Sequence, residues 1–339
     1  MISSNSLTNK KERRFQSLAL LTIIAIYILV LAGGIVRGTG SGMGCPDWPK
    51  CFGRWVPPTE ISQLPANYQK IYGAKLKGEI EFNPVKTWIE YVNRLVGVLS
   101  GFLVFATLLA SLSFWRKDKV IVWGSFTAFF LIGLNGWLGS KVVSTELAQY
   151  MITIHMLLAI LVVFALLFVW VRSRASQVVI NLAQQKEAGI RWLALGLTII
   201  TIGQIVLGTE VREALDLVVK KLGYDQRQNW ISSLDWRFYV HRSFSLVVLA
   251  GHLTLVYQLR KLGNLKKMTW VANGLLACLL LEIGTGVVMA YLNVPAVAQP
   301  VHLLLAILLV GLQFIAVLAL TPGISLPKAV KRNMEVAHA

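Results

Sequence analysis

Eight stretches of this chain are apolar for long enough to cross a bilayer, and that constrains its fold more than any motif does. They run over 17–36, 88–114, 120–138, 148–171, 192–209, 238–259, 268–292 and 301–320. A helix rises about 1.5 Å per residue, so about 20 residues span a hydrocarbon core of about 30 Å. Backbone inside lipid must satisfy its own hydrogen bonds, and a helix does so within one segment. The first stretch is longer than the ~7–15 apolar residues of a signal peptide and lacks a small-residue cleavage site. The expected class is an all-α integral membrane protein with eight transmembrane helices.

Charge fits this class. Only 14% of the 339 residues are charged, where a soluble domain carries about 25%. A formal net charge of +17 would suit a nucleic-acid partner if it formed a basic face. It does not. Lys10, Lys11, Arg13 and Arg14 precede the first stretch, and Arg116, Lys117 and Lys119 separate the second and third. Arg172, Arg174, Lys186 and Arg191 separate the fourth and fifth, and Arg260, Lys261, Lys266 and Lys267 the sixth and seventh. Lys328, Lys331 and Arg332 follow the eighth. The short loops 139–147 and 293–300 carry a single basic residue, Lys141. The positive-inside rule then puts both termini in the cytoplasm of a bacterial inner membrane, surrounded by lipid, with no nucleic-acid partner. The longer outer segments, 38–87 and 210–237, read as ordered caps over the outer face.

The chain is internally duplicated. Thr153-Ile154-His155-Met156-Leu157-Leu158-Ala159-Ile160-Leu161 reappears as Pro300-Val301-His302-Leu303-Leu304-Leu305-Ala306-Ile307-Leu308, 147 residues on. Val92-Asn93-Arg94 reappears as Val240-His241-Arg242, and Asn135-Gly136-Trp137-Leu138-Gly139 aligns with Glu282-Ile283-Gly284-Thr285-Gly286. Gly33-Gly34-Ile35-Val36-Arg37 aligns with Gly208-Thr209-Glu210-Val211-Arg212. Two pseudo-symmetric four-helix bundles are therefore expected, over 1–180 and 181–339, related by an axis along the membrane normal.

Asn93, His155, His241 and His302 enter their helices from the outer side, about 3–11 Å deep at about 1.5 Å per residue. Ionisable side chains are costly in a membrane and mark function by default. Facing imidazoles suit axial ligation of a haem iron between helices. Zinc fits less well, since it takes three or four protein ligands. His252 has no mirrored partner and reads as structural; His338 lies in the tail.

Arg94 and Arg242 follow the ligand positions and could bind haem propionates through bidentate forks, with Arg37 and Arg212 as weaker candidates. Glu90 precedes Asn93 by three residues, so it faces a similar direction and could manage protons. Glu282 sits near mid-membrane, where its mirror is the neutral Asn135. Cys45 and Cys51 lie in the first outer loop, on an oxidising face where a disulfide is expected. Cys278 reads as a small buried residue.

These residues resemble the haem A synthase family. The resemblance rests on Gly33-Gly34-Ile35-Val36-Arg37 with the following Thr39-Gly40-Ser41-Gly42, and on Glu90-Tyr91-Val92-Asn93-Arg94. It rests also on Gln204-Ile205-Val206-Leu207-Gly208-Thr209-Glu210-Val211-Arg212-Glu213, His241-Arg242, His302 and the cysteine pair. It runs from the first apolar stretch to the eighth. It implies an enzyme that oxidises the C8 methyl of haem O to the formyl of haem A, by successive hydroxylations and a dehydration, for terminal cytochrome oxidases. It implies a haem b cofactor on His241 and His302, a substrate site with Glu90 and His155, and a Cys45–Cys51 disulfide. A haem O synthase or oxidase assembly factors are the expected partners. Asn93 departs from the family, which has histidine there, and leaves His155 as the substrate haem's histidine. The rival class is a b-type cytochrome that only relays electrons; Asn93 argues against its second bis-histidine haem.

Overall fold

A computed structural model of the protein describes residues 2–73, 82–174, 186–262, 266–321 and 324. Lys328, Lys331, Arg332 and His338 lie outside the described residues. Eight helices among them are long and apolar enough to cross a membrane. They are α1 (Ile2–Gly38), α2 (Pro84–Ser111), α3 (Lys119–Ser144), α4 (Gln149–Ser173), α5 (Lys186–Leu222), α6 (Trp236–Lys261), α7 (Lys266–Tyr291) and α8 (Ala298–Ala319). The chain is a multi-pass membrane protein.

Several helix starts are written in the sequence. Asn83 caps α2 by accepting from the Lys86 N–H, with Pro84 supplying the first helical φ. Asp118 and Asp235 cap α3 and α6 through the N–H groups of Val120 and Arg237. Asp118 also pairs with Arg172 at 2.7 Å, tying the start of α3 to the end of α4.

Each helix packs on its sequence neighbour, α1 also on α4, and α5 also on α8. The halves meet where α1 and α4 pack on α8, and α4 on α5. Half of the apolar window of α8 is buried inside the protein, against 22–33% for the other seven, so α8 lies at the centre. Gly34 makes the α1–α8 seam possible: a Cβ there would stand 2.9 Å from the Pro300 backbone. His252 is fully buried among these helices, with Nδ1 on the Val248 carbonyl and Nε2 beside Gln313. Both ring nitrogens are satisfied, as a structural histidine requires.

The duplication extends to backbone conformation. Glu146 and Leu147, between α3 and α4, have φ of 51° and 62°; Asn293 and Val294, between α7 and α8, have 55° and 54°. These pairs are 147 residues apart. Leu147 N–H donates to the Val142 carbonyl (2.8 Å) and Val294 N–H to the Met289 carbonyl (3.0 Å), again in register. Two successive left-handed residues without glycine are uncommon and need surrounding structure to hold them. Arg227 holds the second turn by donating to the carbonyls of Asn293 and Val294.

Several boundaries differ from expectation: α1 begins at Ile2 rather than near residue 17, and α3 runs to Ser144 rather than 138. The fifth span does not stop near residue 209 but continues as helix to Leu222. The reason is local: Val211, Ala214, Leu215, Val218 and Val219 recur at helical spacing and pack on Trp230, Leu234 and Val294. The second outer cap is thus half helix.

Candidate functional site: two mirrored ligand pockets

The second half carries His241 on α6 and His302 on α8. Each faces a glycine. A Cβ on Gly208 of α5 would lie 3.2 Å from Cε1 of His241, and one on Gly286 of α7 would lie 3.6 Å from Cε1 of His302. The first half repeats the pattern at the mirrored positions. A Cβ on Gly33 would lie 4.0 Å from Oδ1 of Asn93, and one on Gly139 would lie 3.4 Å from Cε1 of His155. Odd-numbered helices therefore offer bare backbone where even-numbered helices present a ligand-type side chain.

Buried polar atoms around these positions lack partners. Nδ1 of His155 and of His241, Oδ1 of Asn93 and of Asn135, and Oε2 of Glu282 make no hydrogen bond with a described residue. Orphans this concentrated call for an explanation, and a bound polar or metal-bearing group supplies one. Imidazoles on α6 and α8, each beside a bare glycine of the neighbouring helix, suit a haem iron.

Differences at four mirrored positions bear on the ligands, three in residue and one in use. Asn93 stands where His241 does. Asn135 stands where Glu282 approaches Nε2 of His302 at 3.3 Å. Leu138 stands where Thr285 meets Nδ1 of His302 at 2.9 Å. Arg94 and Arg242 are the same residue in different use. Arg94 donates to the carbonyls of Cys45, Asp47 and Lys50 and pairs with Glu90 at 2.5 Å. Arg242 makes no hydrogen bond or ion pair with a described residue and lies over Phe238 and Tyr239. Arg242 is available to an anion; both terminal nitrogens of Arg94 are taken.

Glu90 is 3% exposed, and its other oxygen accepts the Cys45 N–H at 2.7 Å. Cys45 and Cys51 form a disulfide, so this carboxylate joins the disulfide loop to the helix that carries Asn93. Asp47 turns the loop by accepting from the N–H groups of Phe52 and Gly53. Gly44 is obligatory, because a Cβ there would collide with the Lys86 carbonyl. An open apolar groove of about 540 Å³ runs between α1 and α2, past Ile35, Trp88 and Val92 to Asn93.

A further polar cluster lies at the outer seam between the halves. Asp216 accepts from Arg37 at 2.7 Å and from Arg212 at 3.0 Å. Arg37 also meets Gln149, and Arg212 meets Gln299 and the Arg37 carbonyl. Arg37 and Arg212 occupy mirrored positions, so one carboxylate serves both copies. Sequence reading found the arginines but missed Asp216, Gln149, Gln299 and Thr285. Of these, only Thr285 left a signal, as the mismatch with Leu138 in the aligned motif.

A family model described as cytochrome oxidase assembly protein matches residues 16–314. The chain belongs to that family. Among relatives, the chain is 27% identical to a heme A synthase of Shewanella oneidensis over 188 residues, 56% of this chain and 54% of that protein. It is 21% identical to a heme A synthase of Rickettsia massiliae over 328 residues, 86% and 94% of the two chains. A heme A synthase of Bartonella bacilliformis is 32% identical over 222 residues, 59% and 60%. The family match spans all eight helices, so both ligand pockets and the seam between them fall inside it.

Proposed function

We propose that this chain is a haem A synthase of a bacterial inner membrane, an oxidoreductase converting the C8 methyl of haem O to the formyl of haem A for terminal cytochrome oxidases. The observation that carries the reading is the fourfold pairing of a ligand position with a nearby glycine, repeated at mirrored positions of the two halves, in a member of the cytochrome oxidase assembly family. The two bundles, 1–180 and 181–339, divide the work. Both termini lie in the cytoplasm, and the pockets open toward the outer face.

In the second half, His241 and His302 hold a haem b, which supplies one-electron transfer when bound. Arg242, whose guanidinium has no hydrogen bond or ion pair with a described residue, meets a propionate. In the first half, His155 is the histidine ligand of haem O, and Asn93 faces it as a neutral amide. The substrate iron is then held on one side only. The groove between α1 and α2 gives a lipophilic substrate a lateral path from the bilayer to Asn93. Glu90 acts at the edge of this site, holding the Cys45 backbone and passing or retaining a proton beside the substrate. Arg94 positions Glu90 and the disulfide loop.

The test is to incubate the purified protein with haem O, a reductant and dioxygen, the oxidant that hydroxylating the methyl consumes, and identify the haems by mass. A product with one oxygen gained and two hydrogens lost at the methyl supports the reading. Recovery of haem O alone, from protein that carries its haem b, overturns it and favours an electron relay.

A further inference from the structure

His302 touches something that His155 does not. Its Nδ1 lies 2.9 Å from the Thr285 hydroxyl oxygen. That hydroxyl has one hydrogen, which it donates to the Glu282 carbonyl one turn back, at 2.9 Å. With that hydrogen on the carbonyl the oxygen accepts from Nδ1 of His302, which leaves the lone pair on Nε2, 3.3 Å from Oε1 of Glu282, a contact that a metal would displace. Nε2 is the nitrogen a metal would take. In the first half the mirrored residue is Leu138, which offers no acceptor. Nδ1 of His155 makes no hydrogen bond with a described residue.

We infer that Thr285 is a positioning residue: it sets the ligating tautomer of His302 and makes this histidine a stronger electron donor to iron than His155. A hydrogen bond accepted from the far nitrogen raises the basicity of a ligating imidazole. More donation favours ferric iron and so lowers the reduction potential. A haem b site with a low potential delivers electrons readily, whereas a substrate site with a weaker histidine holds its iron less tightly to the ferric state. The duplicated fold thus carries a difference in donor strength, written as Thr285 against Leu138 on corresponding helices. This rests on the reading that His302 ligates a haem in the second half.

The test uses the full-length protein purified with its haem, as wild type, Thr285→Val and Thr285→Ser. Valine keeps the shape and removes the hydroxyl; serine keeps the hydroxyl. Absorption spectra report low-spin ligation, and a redox titration of the b-type haem reports donor strength. Thr285→Val should stay low-spin with a higher potential, a roughly tenfold loss in the preference for ferric iron, or about 59 mV for a one-electron couple. Thr285→Ser should titrate with the wild type. An unchanged potential in Thr285→Val overturns the inference while leaving the haem site standing. A shift as large in serine as in valine, or haem loss from both, overturns it too, because the hydroxyl would not be the cause. A wild type without low-spin haem overturns the inference together with the ligand assignment.

Discussion

Gly208 lies so close to the His241 ring that a methyl group at position 208 would stand 3.2 Å from Cε1. Its mirror, Gly33, leaves 4.0 Å to the shorter Asn93 side chain. The same glycine is therefore tight in one half and loose in the other. Gly208→Val should displace the His241 ring at an overpacking cost of about 1–3 kcal/mol, and haem retained through purification should fall. Gly33→Ala should leave it unchanged. Pyridine haemochrome content of the two variants checks this.

The buried Glu90–Arg94 pair separates structure from chemistry. Arg94 ties three loop carbonyls to α2, and its removal strands a nearly fully buried carboxylate, a loss on the order of 3–5 kcal/mol. Arg94→Ala should expose 39–73 to proteolysis. Glu90→Gln keeps an acceptor for the Cys45 N–H and should leave the loop resistant while lowering turnover at least tenfold. Limited proteolysis and product analysis on both variants check the split.

At the seam, Asp216 answers both Arg37 and Arg212, but its side chain is 43% exposed. Solvent screening limits such a pair to about 1 kcal/mol. Asp216→Asn should lower thermal stability slightly at low salt, and the difference should vanish in about 1 M salt, where the Debye length is about 3 Å. Melting curves at two salt concentrations decide it.

Topology is open to a direct check. An impermeant thiol reagent, added to intact cells after reduction, should label Cys45 and Cys51. Labelling of these residues only after membrane disruption would reverse the assigned orientation and the depth of all four ligand positions.

The helices and the duplication were legible because both rest on local pattern: apolar length for the first, repeated residues at a fixed offset for the second. His155, His241 and His302 could be singled out for the same reason. The mirrored left-handed turns were hidden, because Glu146-Leu147 and Asn293-Val294 share no residue type and are set by the chain reversal they close. The loop partners of Arg94 were hidden for a related reason. Sequence aligned it with Arg242, but the disulfide loop, absent from the second half, supplies carbonyls that take its donors. The end of α5 was missed because residues 210–222 carry enough charge to read as loop, while their apolar face finds Trp230 from farther along the chain.

The central claim is that one duplicated ligand set has been made unequal, with two histidines around one iron and one around the other. Electron paramagnetic resonance of the purified protein loaded with haem O, as wild type and as Asn93→His, tests it most directly. The account predicts a low-spin signal from the His241–His302 haem in both proteins. It predicts a high-spin signal from the substrate haem in the wild type only, turning low-spin when histidine replaces Asn93. Two low-spin, bis-histidine signals in the wild type would contradict it.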